Sequence, residues 1–290
     1  MNSPHPRGDN RTSLELYHRS THEAAAVMLR RYSSSFSLGT RVLGQPQRSM
    51  IEDVYALVRL ADEIVDTYRG ADAKALLRAL EKDVMATLKR GYSTNLVVNA
   101  FARTAVKVGI DKTQIRPFFA SMEMDLARTE HDEKSFRTYV FGSAEVVGEM
   151  CLHVFLHGTG RTATPRAITG ARTLGSAYQK VNFLRDLATD FEELGRSYFP
   201  GVTPDSLDEA QVRALADDCG RDLDAARECL DELPPRPRFA VRATIEIYGE
   251  LLKKIRRTPA SRLLTTRVRV TAGRKLWLTG KAALVTAGSR

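Results

Sequence analysis

Apolar residues recur at three- and four-residue intervals along almost the whole of this 290-residue chain, and no series of alternating strands bounded by hairpin turns interrupts them. That single pattern predicts an all-α fold. Helix starts are expected at Ser49, where Glu52 stands at the capping-box position, at Asp111 with Gln114, at Thr164 before Pro165, and at Ser206 with Glu209. Breaks are expected at Gly70, Gly91, Gly109, the Gly158 to Gly160 turn, Gly195 to Pro204, and Pro234 to Pro237. These divide the chain into roughly eight to ten helices. No linker is long or biased enough to separate two domains, so residues 14–290 read as one domain behind a flexible N-terminus at 1–13.

Composition narrows the class of protein. With 43% apolar and 27% charged residues the chain resembles an ordinary globular domain. The opening MNSPHPRGDNRTS lacks the apolar run of a secretory signal, which leads to the expectation of a cytoplasmic protein. No window holds about 18 uninterrupted apolar residues, so no membrane-spanning helix is expected. Cys151, Cys219 and Cys229 have no metal-ligand spacing and read as small core or surface residues in a reducing compartment. The net charge of +9 is concentrated at one end: residues 251–290 hold eleven Lys/Arg and no acid, against 33 basic and 35 acidic residues before them. Such a segment attracts an anionic partner.

Two rows of acids carry the chemistry. Val54, Val58, Asp62 and Asp66 follow at intervals of four, so the aspartates extend an apolar stripe about 6 Å apart along one helix. Tyr178, Asn182, Asp186 and Asp190 repeat the arrangement among Val181, Phe183, Leu184, Leu187 and Phe191, with Gln179 beside Asn182. Carboxylates directed toward a core need a partner cation. A lone DxxxD on a helix is usually a solvated face, but two in apolar surroundings, each with an arginine nearby, are not accounted for that way. Arg59, Arg185 and Arg196 supply donors suited to a diphosphate. Oxygen ligands without Cys or His in either row suit Mg²⁺.

At these residues the chain resembles the squalene and phytoene synthase family. The resemblance runs from about Ser33 to Leu278 and rests on SSSF at Ser33 to Phe36, VYALVRLADEIVD at Val54 to Asp66, and MDLARTEHDEKSFRTYVFGSAEVVGEM at Met124 to Met150. It continues in AYQKVNFLRDLATDFEELGRSYFP at Ala177 to Pro200, then in YGELLKKIRR and RVRVTAGRKLWL. It implies the isoprenoid synthase fold, one helical domain around a central cavity. It further implies that Asp62, Asp66, Asp186 and Asp190 hold Mg²⁺, with Mn²⁺ as the alternative, and that Asn182 and Gln179 complete the second site. By the same resemblance Arg59 contacts diphosphate, Tyr139 and Tyr248 lie near the reacting carbons, and Phe36, Ala144, Val147 and Gly148 line the hydrocarbon cavity. The implied reaction condenses two geranylgeranyl diphosphates to phytoene through a cyclopropyl diphosphate. Glu145 and Lys180 depart from the family pattern, in which a small neutral residue and an apolar one are usual.

Other features read more plainly. Gly158, Gly160 and Ala163 match a dinucleotide-binding spacing, but without a strand series they read as a helix-ending turn, and no NADPH is expected. His153 and His157 lack a third ligand, and Glu15 with His18 is half of a diiron motif with no second half. The basic C-terminal helix, at about 259–290, contains Leu263, Leu264, Val268, Leu276 and Trp277. It is too apolar for a freely solvated arm, so part of it is expected to pack on the body and part to rest on a membrane surface, and no nucleic acid is expected. Competing readings are a synthase of squalene or dehydrosqualene using farnesyl diphosphate, and a non-catalytic assembly protein of the same family.

Overall fold

The computed structural model describes residues 11–33, 37 and 39–287, with the backbone alone for 283–287. Twelve α-helices occur among the described residues: α1 Arg11–Tyr32, α2 Gln47–Asp62, α3 Ala73–Arg90, α4 Leu96–Val108, α5 Lys112–Asp125, α6 Glu133–Val140, α7 Val146–Leu156, α8 Pro165–Glu192, α9 Glu209–Glu228, α10 Pro235–Arg257, the single turn α11 Ala260–Leu263, and α12 Ala272–Ala287. An isolated bridge between Glu130 and Ser197 is the extended pairing among them.

Local chemistry explains most boundaries. Asp111 accepts from the Thr113 amide while the Gln114 side chain returns to the Asp111 amide, a complete capping box at the start of α5. Thr164 caps α8 through the Ala167 amide, with Pro165 at the first helical position. Gly91 and Gly109, both at positive φ, end α3 and α4. Two expected starts are displaced. Helix α2 begins at Gln47, because Ser49 bonds back to Gln45 and Glu52 is taken by Arg48, leaving no capping box. Helix α9 begins after Asp208, whose side chain and Gln211 form the box, while Ser206 closes the preceding turn with Thr203.

The apolar faces gather into two main clusters. The first joins α2, α3, α4, α5 and α7 around Ile51, Leu57, Phe101 and Phe118. The second joins α6, α8, α9 and α10 around Val181, Leu184, Cys219 and Ile255. Helix α8 packs on α7, α9 and α10 and brings its C-terminal half to the boundary between the clusters. Close approach to α7 needs glycine: a Cβ at Gly148 would stand 2.2 Å from the Ala171 carbonyl oxygen, and one at Gly175 would stand 2.3 Å from that of Ala144. Residues 133–156 are long and apolar enough to cross a membrane by length and composition alone, but 56% of the most apolar stretch is buried inside the fold, as in the core helix of a globular domain. A π-helical turn, Phe141–Glu145, divides this run between α6 and α7.

Candidate active site

The first acid row leaves the ideal helix at its end. Helix α2 stops at Asp62, and Asp66 rides on a π-helical turn, Glu63–Thr67, closed by the Tyr68 amide on the Glu63 carbonyl. π-turns of this kind re-aim side chains and recur at functional sites. The second row stays on α8. Immediately after it Arg196 turns back and donates to Asp66 Oδ1 at 2.7 Å and to the Val65 carbonyl at 2.9 Å. The two rows therefore face each other, and the field of Asp66 reaches Asp190.

Two carboxylates at this meeting have no partner among the described residues. Neither the Asp62 nor the Asp190 side chain receives a hydrogen bond or an ion pair among the described residues. Burial, reinforced by Asp66 and opposed by Arg59, raises Asp62 to about 7. Burial, reinforced by Asp186 and Asp66, raises Asp190 to about 8. Groups in this condition store a demand for positive charge. No three acids, histidines or cysteines converge tightly enough among the described residues to enclose an ion alone. The donor set of separated carboxylates and Asn182 thus fits a hard divalent cation that takes its remaining ligands from water and a phosphorylated molecule.

Cationic side chains surround the acids. Arg185 grips Asp186 with Nε at 2.9 Å and Nη2 at 2.5 Å, and Arg267 approaches the same carboxylate with Nε 2.6 Å from Oδ1. Arg59 donates to Glu63 at 2.8 Å and lies 4.3 Å over the Tyr32 ring, so its guanidinium is beside Asp62 but bonded to the neighbouring acid. Tyr248 donates to Asn182 Oδ1 at 3.3 Å and stacks on Tyr178 at 3.9 Å between centroids. The Gln179 side chain makes no hydrogen bond among the described residues. Tyr139 is buried and donates to Asp125 at 2.8 Å.

The residues expected to line a hydrocarbon cavity are placed unevenly. Ala144 is buried on the π-turn, Val147 is half-buried against the first cluster, and Gly148 faces the α8 backbone. Phe36 lies outside the described residues. Sequence reading missed Asp125, Tyr198 and Arg267. Asp125 has no acid four residues away, and its one signal is its position between Met124 and Leu126 at the end of an apolar helix.

Residues 29–274 match the squalene/phytoene synthase family. The chain belongs to that family. It is 30% identical over 211 residues to a phytoene synthase of Mycobacterium tuberculosis, covering 72% of this chain and 65% of that protein. It is 28% identical over 192 residues to the chloroplastic phytoene synthase 3 of Zea mays, covering 65% of this chain and 43% of the relative. The 4,4'-diapophytoene synthase of Staphylococcus haemolyticus is 24% identical over 266 residues, 81% of this chain and 87% of that one. The chain thus spans between about two fifths and two thirds of several phytoene synthase relatives that it matches. A dehydrosqualene synthase crystal structure superposes with a TM-score of 0.81 at 21% identity, over 93% of this chain and 98% of that one. The squalene synthase HpnC of Alicyclobacillus acidocaldarius gives 0.73 at 23% identity, over 83% and 95%. The fold of this squalene/phytoene synthase family member is accordingly the all-α isoprenoid synthase fold.

Proposed function

We propose that this chain condenses two geranylgeranyl diphosphates head to head to phytoene, using Mg²⁺, with Mn²⁺ as the alternative, and no NADPH. The observation that carries the reading is the pair of carboxylates without a partner among the described residues, half-buried Asp62 and buried Asp190, near which Arg196 binds Asp66. Asp62, Asp66, Asp186, Asp190 and Asn182 would hold the divalent ion. When bound, the ion neutralises the diphosphate and assists its departure. Arg59, Arg185 and Arg196 offer N–H groups to the diphosphate oxygens. Gln179 and Tyr248 flank Asn182 on the substrate side of α8. The packed aromatic cluster of Phe136, Tyr139, Phe183, Tyr198 and Phe199 would keep water from a carbocation formed beside it. Proton loss from the final cation completes a reaction that needs no reductant.

A farnesyl-using reaction is the second reading, favoured by the match over 87% of the Staphylococcus diapophytoene synthase. The proposal includes a membrane contact through α12, where Leu276 and Trp277 are 61% and 53% exposed. The deciding experiment incubates the protein with Mg²⁺ and either farnesyl or geranylgeranyl diphosphate, with and without NADPH, and weighs the extracted hydrocarbon. A C40 product formed equally without NADPH is expected. A preferred C30 product moves the assignment to farnesyl diphosphate, and a strict NADPH requirement moves it to squalene. No hydrocarbon from either substrate, in folded protein supplied with detergent, favours the non-catalytic assembly role.

A further inference from the structure

Behind the acid rows lies a buried polar chain. Asp125, at the end of α5, accepts from Tyr139 at Oδ2, 2.8 Å, and from Tyr198 at Oδ1, 3.0 Å. Tyr198 in turn accepts from Arg196 Nη1 at 3.2 Å, and the same nitrogen lies 3.8 Å from Asp125 Oδ1. The Tyr198 ring is stacked on Phe183 at 4.1 Å between centroids, so the phenol cannot swing away freely. Arg196 is likewise fixed, since its Nη2 is held on the Val65 carbonyl.

One nitrogen, Arg196 Nη1, is therefore divided between Asp66 on one side and the Asp125–Tyr198 pair on the other. A cation that takes Asp66 competes with this nitrogen for the charge of the carboxylate. A guanidinium that loses its only carboxylate in a buried site is costly, whereas one with a second carboxylate in reach is not. We propose that Asp125 is a positioning residue: with Tyr198 it anchors the Arg196 guanidinium from behind and so sets how readily Asp66 is surrendered to a divalent cation. This rests on reading Asp66 as a cation ligand. Asp125 itself touches neither cation nor substrate.

The test follows unfolding temperature as Mg²⁺ is raised at fixed excess inorganic pyrophosphate, and reads the Mg²⁺ concentration at half-maximal stabilisation. Asp125→Asn keeps the side-chain shape and removes the charge. It should raise that concentration roughly tenfold, the equivalent of one charge-assisted hydrogen bond. Tyr198→Phe should raise it in the same direction, and it carries the comparison if Asp125→Asn fails to fold. In an Arg196→Gln background the effect of Asp125→Asn should vanish, which a purely structural role would not predict. If the unsubstituted protein responds to Mg²⁺ but the variants leave its half-saturation unchanged, or the shift persists without Arg196, the positioning role is overturned while the cation site stands. If the unsubstituted protein shows no response to Mg²⁺ and pyrophosphate, the cation site falls and the role of Asp125 falls with it.

Discussion

Arg196 Nη1 lies 2.7 Å from Asp66 Oδ1 although 130 residues separate them in the chain. The contact ties the segment after α8 to the turn after α2 and makes one site of two acid rows. The rows should consequently fail together. Asp62→Asn and Asp186→Asn are each expected to lower turnover by at least about a hundredfold while circular dichroism stays unchanged. Full activity in excess chelator would refute the assignment of these acids to a metal.

Charge crowding also predicts how stability depends on pH. In chelator, Asp62 at about 7 and Asp190 at about 8 hold protons in the folded state that the unfolded chain has already released. Both folded-state values are raised, so their stabilising contribution is complete only below the unfolded carboxylate value of about 4 and is lost progressively as pH rises to the folded values of about 7 and about 8. The unfolding temperature of chelated protein should fall from about pH 4 to about pH 8 and level off above that, and excess Mg²⁺ with pyrophosphate should flatten the slope. Differential scanning fluorimetry at fixed ionic strength measures this. A chelated midpoint that climbs over the same range would show that the two carboxylates are better solvated than their burial indicates.

Placement of the second row depends on backbone contact between α8 and its neighbours. At Gly175 the obstructing atoms are the Ala144 carbonyl oxygen and carbon, at 2.3 and 2.9 Å, and backbone cannot rotate away as a side-chain end can. Gly175→Ala is expected to cost about 1–3 kcal/mol through overpacking. Because Asn182, Asp186 and Asp190 lie on the same helix, turnover should drop with it. Gly249→Ala, where nothing lies within 4 Å, is the control and should be neutral or slightly stabilising. Equal unfolding temperatures for the two variants would remove the argument for a close helix crossing.

Legibility in the sequence tracked the range of each interaction. Periodicity and caps are local, so the all-α class and the starts at Asp111 and Thr164 could be read directly. Where the sequence points to Ser206 with Glu209 as a helix start, Asp208 with Gln211 serves instead, because Ser206 is engaged with Thr203 in the preceding turn, and Ser and Asp cap about equally well. The aspartate pairs were visible because they repeat on an apolar background. Asp125 is a single acid whose importance comes from Tyr139, Tyr198 and Arg196, which lie 14, 73 and 71 positions away. The π-turns at 63–67 and 141–145 leave no periodic mark, since one extra residue in a turn only shifts the phase of the positions after it.

The basic C-terminus divides into parts with different work. Leu263 and Val270 are buried and Arg267 reaches Asp186, so removing the whole segment would damage the fold and the site together. The outward part of α12 is separable. Leu276 and Trp277 are exposed, and Arg274 and Lys281 lie over the Trp277 ring at 4.3 and 5.8 Å, an apolar wedge flanked by cations. A helix surface of this composition partitions its aromatic residue at the headgroup boundary while its cations meet anionic lipid. Leu276→Ser with Trp277→Ser should therefore weaken sedimentation with phosphatidylglycerol-containing vesicles without changing the unfolding temperature. Binding of the unsubstituted protein should decline as salt rises, because exposed charges are screened over about 8–10 Å at 0.10–0.15 M ionic strength. If the double variant cosediments as strongly as the unsubstituted protein, α12 is not the surface that meets the bilayer.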